Sequence, residues 1–233
     1  MKHVQKLLLS LLLVTYPPAI TTEAKAHSRP YMAYLQGKNN RFCGGFLVAP
    51  SWVMTAAHHK PLSVILGAHN IQKKEESWQT FEVQKYHRHP DFTNPQKGKD
   101  ILLLSLEHLN NYVKTISFQK QKALGGPVCS IAGWGHETAT HVHGKSKLCL
   151  QKLCSGICSL PVPSTCTPLL GSPHNHRCSL PHHLSVLQGD IGGPLVCNNK
   201  AYGIFSYRYG NWPGFYTNIA AYLPWINSVM KSA

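Results

Sequence analysis

Acidic side chains are what this 233-residue chain has least of: nine Asp and Glu against 23 Lys and Arg, for a formal charge of +14. Beyond Glu137 the sole carboxylate side chain is Asp190. A surface so poor in carboxylates repels polycations. Its field draws in sulfated glycans, anionic membranes or nucleic acid, non-specifically and with strong salt dependence. Solubility alone is the other meaning such a charge can have. Long apolar runs are also missing after Val14, which leaves no candidate membrane anchor in the body of the chain. No Asn-x-Ser/Thr sequon occurs, which excludes N-linked glycosylation, and no internal repeat points to a solenoid.

What the chain does have starts at its N-terminus. Met1, Lys2, His3 and Lys6 lead into an apolar run over 7–14 that is too short to span a bilayer. It reads as a secretory signal over 1–19, with Ala24-Lys25-Ala26 as a later small-residue site that would extend it to 26. The remaining 20–233 is one domain. Losing Lys2 and Lys6 leaves a charge of about +12. Eight cysteines in an exported chain point to disulfides rather than cytosolic thiol chemistry.

Past the signal, short apolar or alternating runs predict strands: Phe46-Leu47-Val48, Ser63-Val64-Ile65-Leu66, Ile101-Leu102-Leu103-Leu104, Cys129-Ser130-Ile131-Ala132 and Ala201-Tyr202-Gly203-Ile204-Phe205. Turn residues punctuate them, as in Ala49-Pro50, Asn94-Pro95 and Gly125-Gly126-Pro127. Many short strands imply an all-β barrel or sandwich class. Only 220–230 is helical in pattern, with Leu223, Ile226, Val229 and Met230 on one face and Pro224 in the first turn. The stretch 136–178 has little clean alternation and is rich in His, Ser, Pro, Leu and Cys.

Several motifs then occur in a telling order. They are Ala24-Lys25-Ala26-His27-Ser28-Arg29-Pro30-Tyr31-Met32, Phe42-Cys43-Gly44-Gly45-Phe46, Thr55-Ala56-Ala57-His58, Leu66-Gly67-Ala68-His69-Asn70, Asp100-Ile101-Leu102-Leu103-Leu104, Ala132-Gly133-Trp134-Gly135, Gly189-Asp190-Ile191-Gly192-Gly193-Pro194 and Tyr222-Leu223-Pro224-Trp225-Ile226. Together they resemble the granzyme, mast-cell chymase and cathepsin G branch of the chymotrypsin-like serine proteases. The resemblance covers roughly 23–135 and 186–230. It implies two six-stranded antiparallel β-barrels with the active cleft between them and a C-terminal helix.

Acyl transfer needs a hydroxyl nucleophile, an imidazole to take its proton, a carboxylate to hold the imidazole's tautomer, and N–H donors for the oxyanion. By resemblance His58 is the imidazole, Asp100 the carboxylate and Ser206 the serine that supports it. Gly189 and Ile191 stand where the oxyanion donors belong, and Ser185, Tyr207 and Arg208 line the specificity pocket. Four positions depart from the pattern. Ile191 replaces the nucleophile; losing the serine of such a triad costs on the order of a million-fold, or about 8 kcal/mol of barrier. The expected Ile-Ile-Gly-Gly start is absent, so Asp190 is expected to lack its ammonium partner and leave a zymogen-like site. His59 replaces the family cysteine that bridges to Cys43, a staple worth about 3 kcal/mol. Arg208 follows Ser206-Tyr207 where the family has a glycine that pairs with substrate backbone.

The resemblance also implies disulfides Cys129–Cys197 and Cys166–Cys178, and it implies no cofactor. Metal sites are weaker readings: Cys43 with His58 and His59, or Cys149, Cys154 and Cys158 with His174, His176, His182 and His183. Two adjacent histidines seldom converge on one ion, and in the second set no ligand spacing recurs, which leaves a disulfide-scrambled or poorly ordered surface loop as the other reading of its cysteines. The expectation is a secreted, extracellular or granule-stored, monomeric serine protease homologue without catalytic activity. It is expected to bind anionic glycans or proteoglycans, or microbial or membrane surfaces, and no specific nucleic acid. An active granzyme- or chymase-like endopeptidase and a decaying, poorly folding paralogue are the alternatives.

Overall fold

A computed structural model describes residues 21–107, 113–120, 129–135, 149–153, 177–179, 190–208 and 214–232. Fourteen short strands form among them: β1 (Thr21–Glu23), β2 (Met32–Gln36), β3 (Phe42–Ala49), β4 (Trp52–Thr55), β5 (Ser63–Leu66), β6 (Gln79–Glu82), β7 (Lys85–Arg88), β8 (Leu102–Ser105), β9 (Cys129–Gly133), β10 (Cys149–Leu153), β11 (Arg177–Ser179), β12 (Pro194–Cys197), β13 (Lys200–Tyr207) and β14 (Phe215–Asn218). Four of the five runs expected to be strands lie wholly in this set, and the fifth starts one residue ahead of β8, at Ile101. The chain ends in helix α1 (Leu223–Lys231), entered through a 3-10 turn at Ile219–Tyr222 whose Ala220 N–H is capped by the Asn218 side chain. Pro224 sits in the first turn of α1, where its missing N–H costs no hydrogen bond.

The strands make two antiparallel sheets of seven, in the orders β6-β5-β2-β3-β4-β8-β7 and β1-β10-β9-β12-β13-β14-β11. In the first, the two edge strands β6 and β7 are separated only by Val83 and Gln84. One bent strand therefore pairs with both ends, and the sheet curls round on itself as the expected six. Val83 N–H continues the pairing to Leu62 O at 3.2 Å and Gln84 N–H to Ser105 O at 3.2 Å. In the second sheet the seventh strand is β1, which pairs with β10 from Thr21↔Gln151 to Glu23↔Cys149. At three residues β1 is too short to show any periodicity in sequence.

Period-two alternation explains the continuous apolar runs. Leu102 and Leu104 point into the first sheet's interior with Leu35, Leu47, Val53, Val64 and Leu66. Their neighbours Ile101 and Leu103 face the other way and pack with Phe46 and Met54 against Val196 and Ile204 of the second sheet, Ile219 of the 3-10 turn and Ile226 of α1. A strand buried on both faces has no polar face to show. The second interior holds Ile131, Leu195, Phe205 and Tyr216. Cys129 and Cys197, cross-strand partners on β9 and β12, are joined by a disulfide.

Candidate active site

The site lies where the two sheets meet. His58 follows directly from β4 through Thr55-Ala56-Ala57, all buried, and the Thr55 hydroxyl donates to Gly44 O at 2.7 Å. Asp100, fully buried, immediately precedes Ile101 and β8. Since β4 and β8 are paired, Thr55↔Leu102, the strand register itself brings His58 to Asp100 across 42 positions. His58 Nδ1 lies 2.7 Å from Asp100 Oδ2, and the His58 backbone N–H donates to Oδ1 at 3.0 Å. The Ser206 hydroxyl donates to Oδ2 at 2.5 Å, and the Thr217 hydroxyl donates to the Asp100 carbonyl at 3.1 Å. A buried carboxylate with these donors fixes the proton of the neutral imidazole on Nδ1. Nε2 is then free to accept one from a ligand in the cleft. The His58 side chain keeps 22% of its surface exposed, enough to meet such a ligand.

Residues 190–193 pack against the segment leading to His58. Gly44 N–H donates to Ile191 O at 2.7 Å, Gly193 N–H to Asp190 O at 2.9 Å, and Gly192 N–H to Phe205 O at 2.8 Å. Gly192 has a φ of 88°, and a Cβ there would collide with the Thr55 hydroxyl and the Gly44 carbonyl. The Ile191 side chain is half-buried and packs on the cluster shared between the sheets and on the interior of the second. It offers hydrocarbon, with neither a proton to give nor a lone pair to attack with.

Asp190 is buried, and its Oδ1 accepts from Gly135 N–H at 2.6 Å. A backbone donor from the Ala132-Gly133-Trp134-Gly135 motif therefore meets this carboxylate. The carboxylate also lies where a Cβ on Gly133 would be, which explains the glycine. Sequence reasoning found the motif and missed this role, because a main-chain N–H leaves no side-chain signature. The Thr217 contact was missed as well, because its hydroxyl meets a main-chain carbonyl 117 positions away with only β14 to announce it.

His59 sits against His58, with ring centroids 4.2 Å apart. Burial, then the neighbouring His58 and Arg41 charges, lower its pKa to about 4 against the pull of Asp100. Its Nε2 is buried without a hydrogen-bond partner. Cys43 is a buried free thiol whose pKa burial pushes up to about 12, so it is unreactive at neutral pH. Among the described residues, no three His, Cys, Asp or Glu side chains converge as a metal site would require.

Tyr207 stacks on Phe215 at 4.7 Å, and Arg208 follows it half-buried at the end of β13. Gly98, Ser206, Tyr207 and Tyr216 bound a shallow recess with no room for a buried ligand. The Tyr216 hydroxyl is buried without a hydrogen-bond partner, and burial, with Asp190 adding to it, raises its pKa. Gly189, Ser185 and Cys166 lie outside the described residues, as do Cys154, Cys158, His174, His176, His182 and His183; Cys149 and Cys178 belong to β10 and β11. No described helix is long and apolar enough to cross a membrane.

Comparisons with known proteins agree with this geometry. A chymase of Papio hamadryas is 38% identical over 227 residues, covering 91% of this chain and 90% of that protein. Granzyme-like protein 2 of Rattus norvegicus is 39% identical over 228 residues, covering 90% and 88%. The solved structure of a protein designated GrC superposes with a TM-score of 0.74 at 33% identity, over 91% of this chain and 98% of that one. The trypsin family model matches residues 20–226, and the chain belongs to the trypsin family, alongside chymases and granzymes.

Proposed function

We propose that this chain is a catalytically inactive serine protease homologue that acts by binding. One observation carries the reading: a hydrocarbon side chain, Ile191, occupies the nucleophile position while His58, Asp100 and Ser206 keep their hydrogen bonds. With no hydroxyl there, no acyl intermediate forms, and the branched side chain fills space a scissile carbonyl needs. In the family roles assigned by resemblance, Gly189 and Ile191 carry the oxyanion-hole N–H groups, and Ser185, Tyr207 and Arg208 form the pocket. Residues 1–19 act as a secretory signal, which delivers a monomer to the extracellular space or to storage granules.

The binding partner follows from charge. The charge of about +12 that remains once Lys2 and Lys6 leave with the signal attracts anionic glycans and proteoglycans. Retention on heparin is the measurement: elution at a salt concentration well above that of a neutral protein is expected, and elution with a neutral protein removes the glycan reading.

The intact His58–Asp100 pair favours a second reading, an active granzyme- or chymase-like endopeptidase. A fluorophosphonate probe separates the two, since it labels only an activated hydroxyl nucleophile. The wild-type protein is expected to remain unlabelled. Ile191→Ser is expected to gain labelling, and adding His58→Ala to that variant to abolish it. Covalent labelling of the wild-type chain would overturn the inactive reading.

A further inference from the structure

Leu62 and Tyr86 are the large hydrophobic side chains that stay exposed among the described residues, at 46% and 38%. They are neighbours. The Tyr86 hydroxyl donates to Pro61 O at 2.6 Å, and Val83 N–H donates to Leu62 O at 3.2 Å. Cations gather at the same place. Lys60 Nζ lies 5.8 Å from the centroid of the Tyr86 ring. The turn that carries exposed Lys38 and Arg41 is tied in from the other side, where Leu62 N–H donates to Gln36 O at 2.6 Å and Gly37 backs onto the Lys60 carbonyl. Exposed Lys85 and Arg88 flank Tyr86 along β7. Among the described residues, two carboxylates border it: Glu82, two strand partners away from Gln36 through Ser63, and Glu107, bonded to Gln84.

We propose that this face docks on an anionic lipid surface. Leu62 enters the headgroup region, and Lys38, Arg41 and Lys60 lie against lipid phosphates and carboxylates. The proposal rests on the reading that the basic surface binds polyanions, and it names the source. A sulfated glycan pairs with the cations but gains nothing from an exposed leucine, whereas a bilayer interface rewards both the apolar tip and the cations around it. Binding of this kind is reversible and weakens with salt. Only His59 separates His58 from Lys60, so a docked molecule would hold the rim of its cleft beside the bilayer.

Co-sedimentation of the purified protein with vesicles tests this, comparing phosphatidylserine in phosphatidylcholine with phosphatidylcholine alone, and heparin elution is run in parallel. The wild type is expected to sediment only with the phosphatidylserine vesicles. Leu62→Ser should lower that partition about fivefold while leaving the heparin elution salt unchanged. Lys38→Ser with Lys60→Ser should lower it about thirtyfold. Lys120→Ser with Lys200→Ser, beside the Phe118–Ala201 bridge of the second sheet, should change it no more than about twofold. All of these side chains are exposed, and an unchanged melting temperature verifies each variant. Wild-type partition by Leu62→Ser, or an equal loss from the Lys120 and Lys200 pair, would overturn the site. Heparin retention without vesicle binding would overturn the lipid and leave the polyanion reading standing. Failure on both matrices would overturn that reading too.

Discussion

His59 concentrates two consequences in one residue. Its imidazole stays neutral down to about pH 4, against an ordinary 6.5, because burial penalises the charged form and His58 and Arg41 add to the penalty. The unfolded chain therefore takes up a proton on falling below 6.5 that the folded chain refuses until about 4. The stability His59 supplies is complete above that upper value and lost across this window, up to about 3 kcal/mol. His87 and His89 are lowered by burial as well and tilt stability the same way. Urea unfolding at about pH 7 and about pH 5 should show the loss. His59→Cys removes this proton uptake and offers Cys43 a partner. It should stabilise by about 3 kcal/mol at neutral pH and by more in acid, with one free thiol fewer than the wild type when both are denatured and titrated with a thiol reagent. One free thiol more than the wild type would instead mean that the backbone here has moved out of bridging range.

At the scale of elements, two features can be broken one at a time. The Cys129–Cys197 bridge joins β9 to β12, one strand from the Asp190–Gly193 turn. Replacing both cysteines by alanine should cost about 2–5 kcal/mol, read from the melting temperature. Gly133→Ala drives a Cβ into the Asp190 carboxylate. It should destabilise by about 1–3 kcal/mol and, in the Ile191→Ser background, abolish probe labelling by displacing the turn. Unchanged labelling would show that Asp190 does not hold that turn in place.

These elements also mark how far the sequence could be read. Strands buried on both faces, such as β8, announce themselves as apolar runs. β7, with the sequence Lys85-Tyr86-His87-Arg88, pairs with β8 alone and carries no such pattern. His58, Asp100 and Ser206 were legible only through family resemblance, since nothing local ties residues 42 and 106 positions apart. The Gly135 donor was invisible because every residue but proline has a backbone N–H.

For the whole molecule the question is whether the two sheets fold as one. Ile101 and Leu103 of the first sheet share a cluster with Val196 and Ile204 of the second and with Ile226 of α1, all within a few percent of complete burial except Val196 at 8%. Asp100 adds polar ties to Ser206 and Thr217 across the same boundary. Such a shared core makes the loss of one sheet costly to the other, so thermal unfolding should be a single cooperative transition. That outcome also separates a specified fold from a decaying one, because a chain without unique packing melts gradually. Ile226→Ala sharpens the test. It empties a fully buried site at the seam and should cost about 2–5 kcal/mol while the melt remains a single step, seen alike by near-UV circular dichroism and calorimetry. If the variant instead melts in two steps, with only the later one at the wild-type temperature, the sheets are independent units. The seam that positions His58 and Asp100 against Ser206 would then be an association between them rather than a common core.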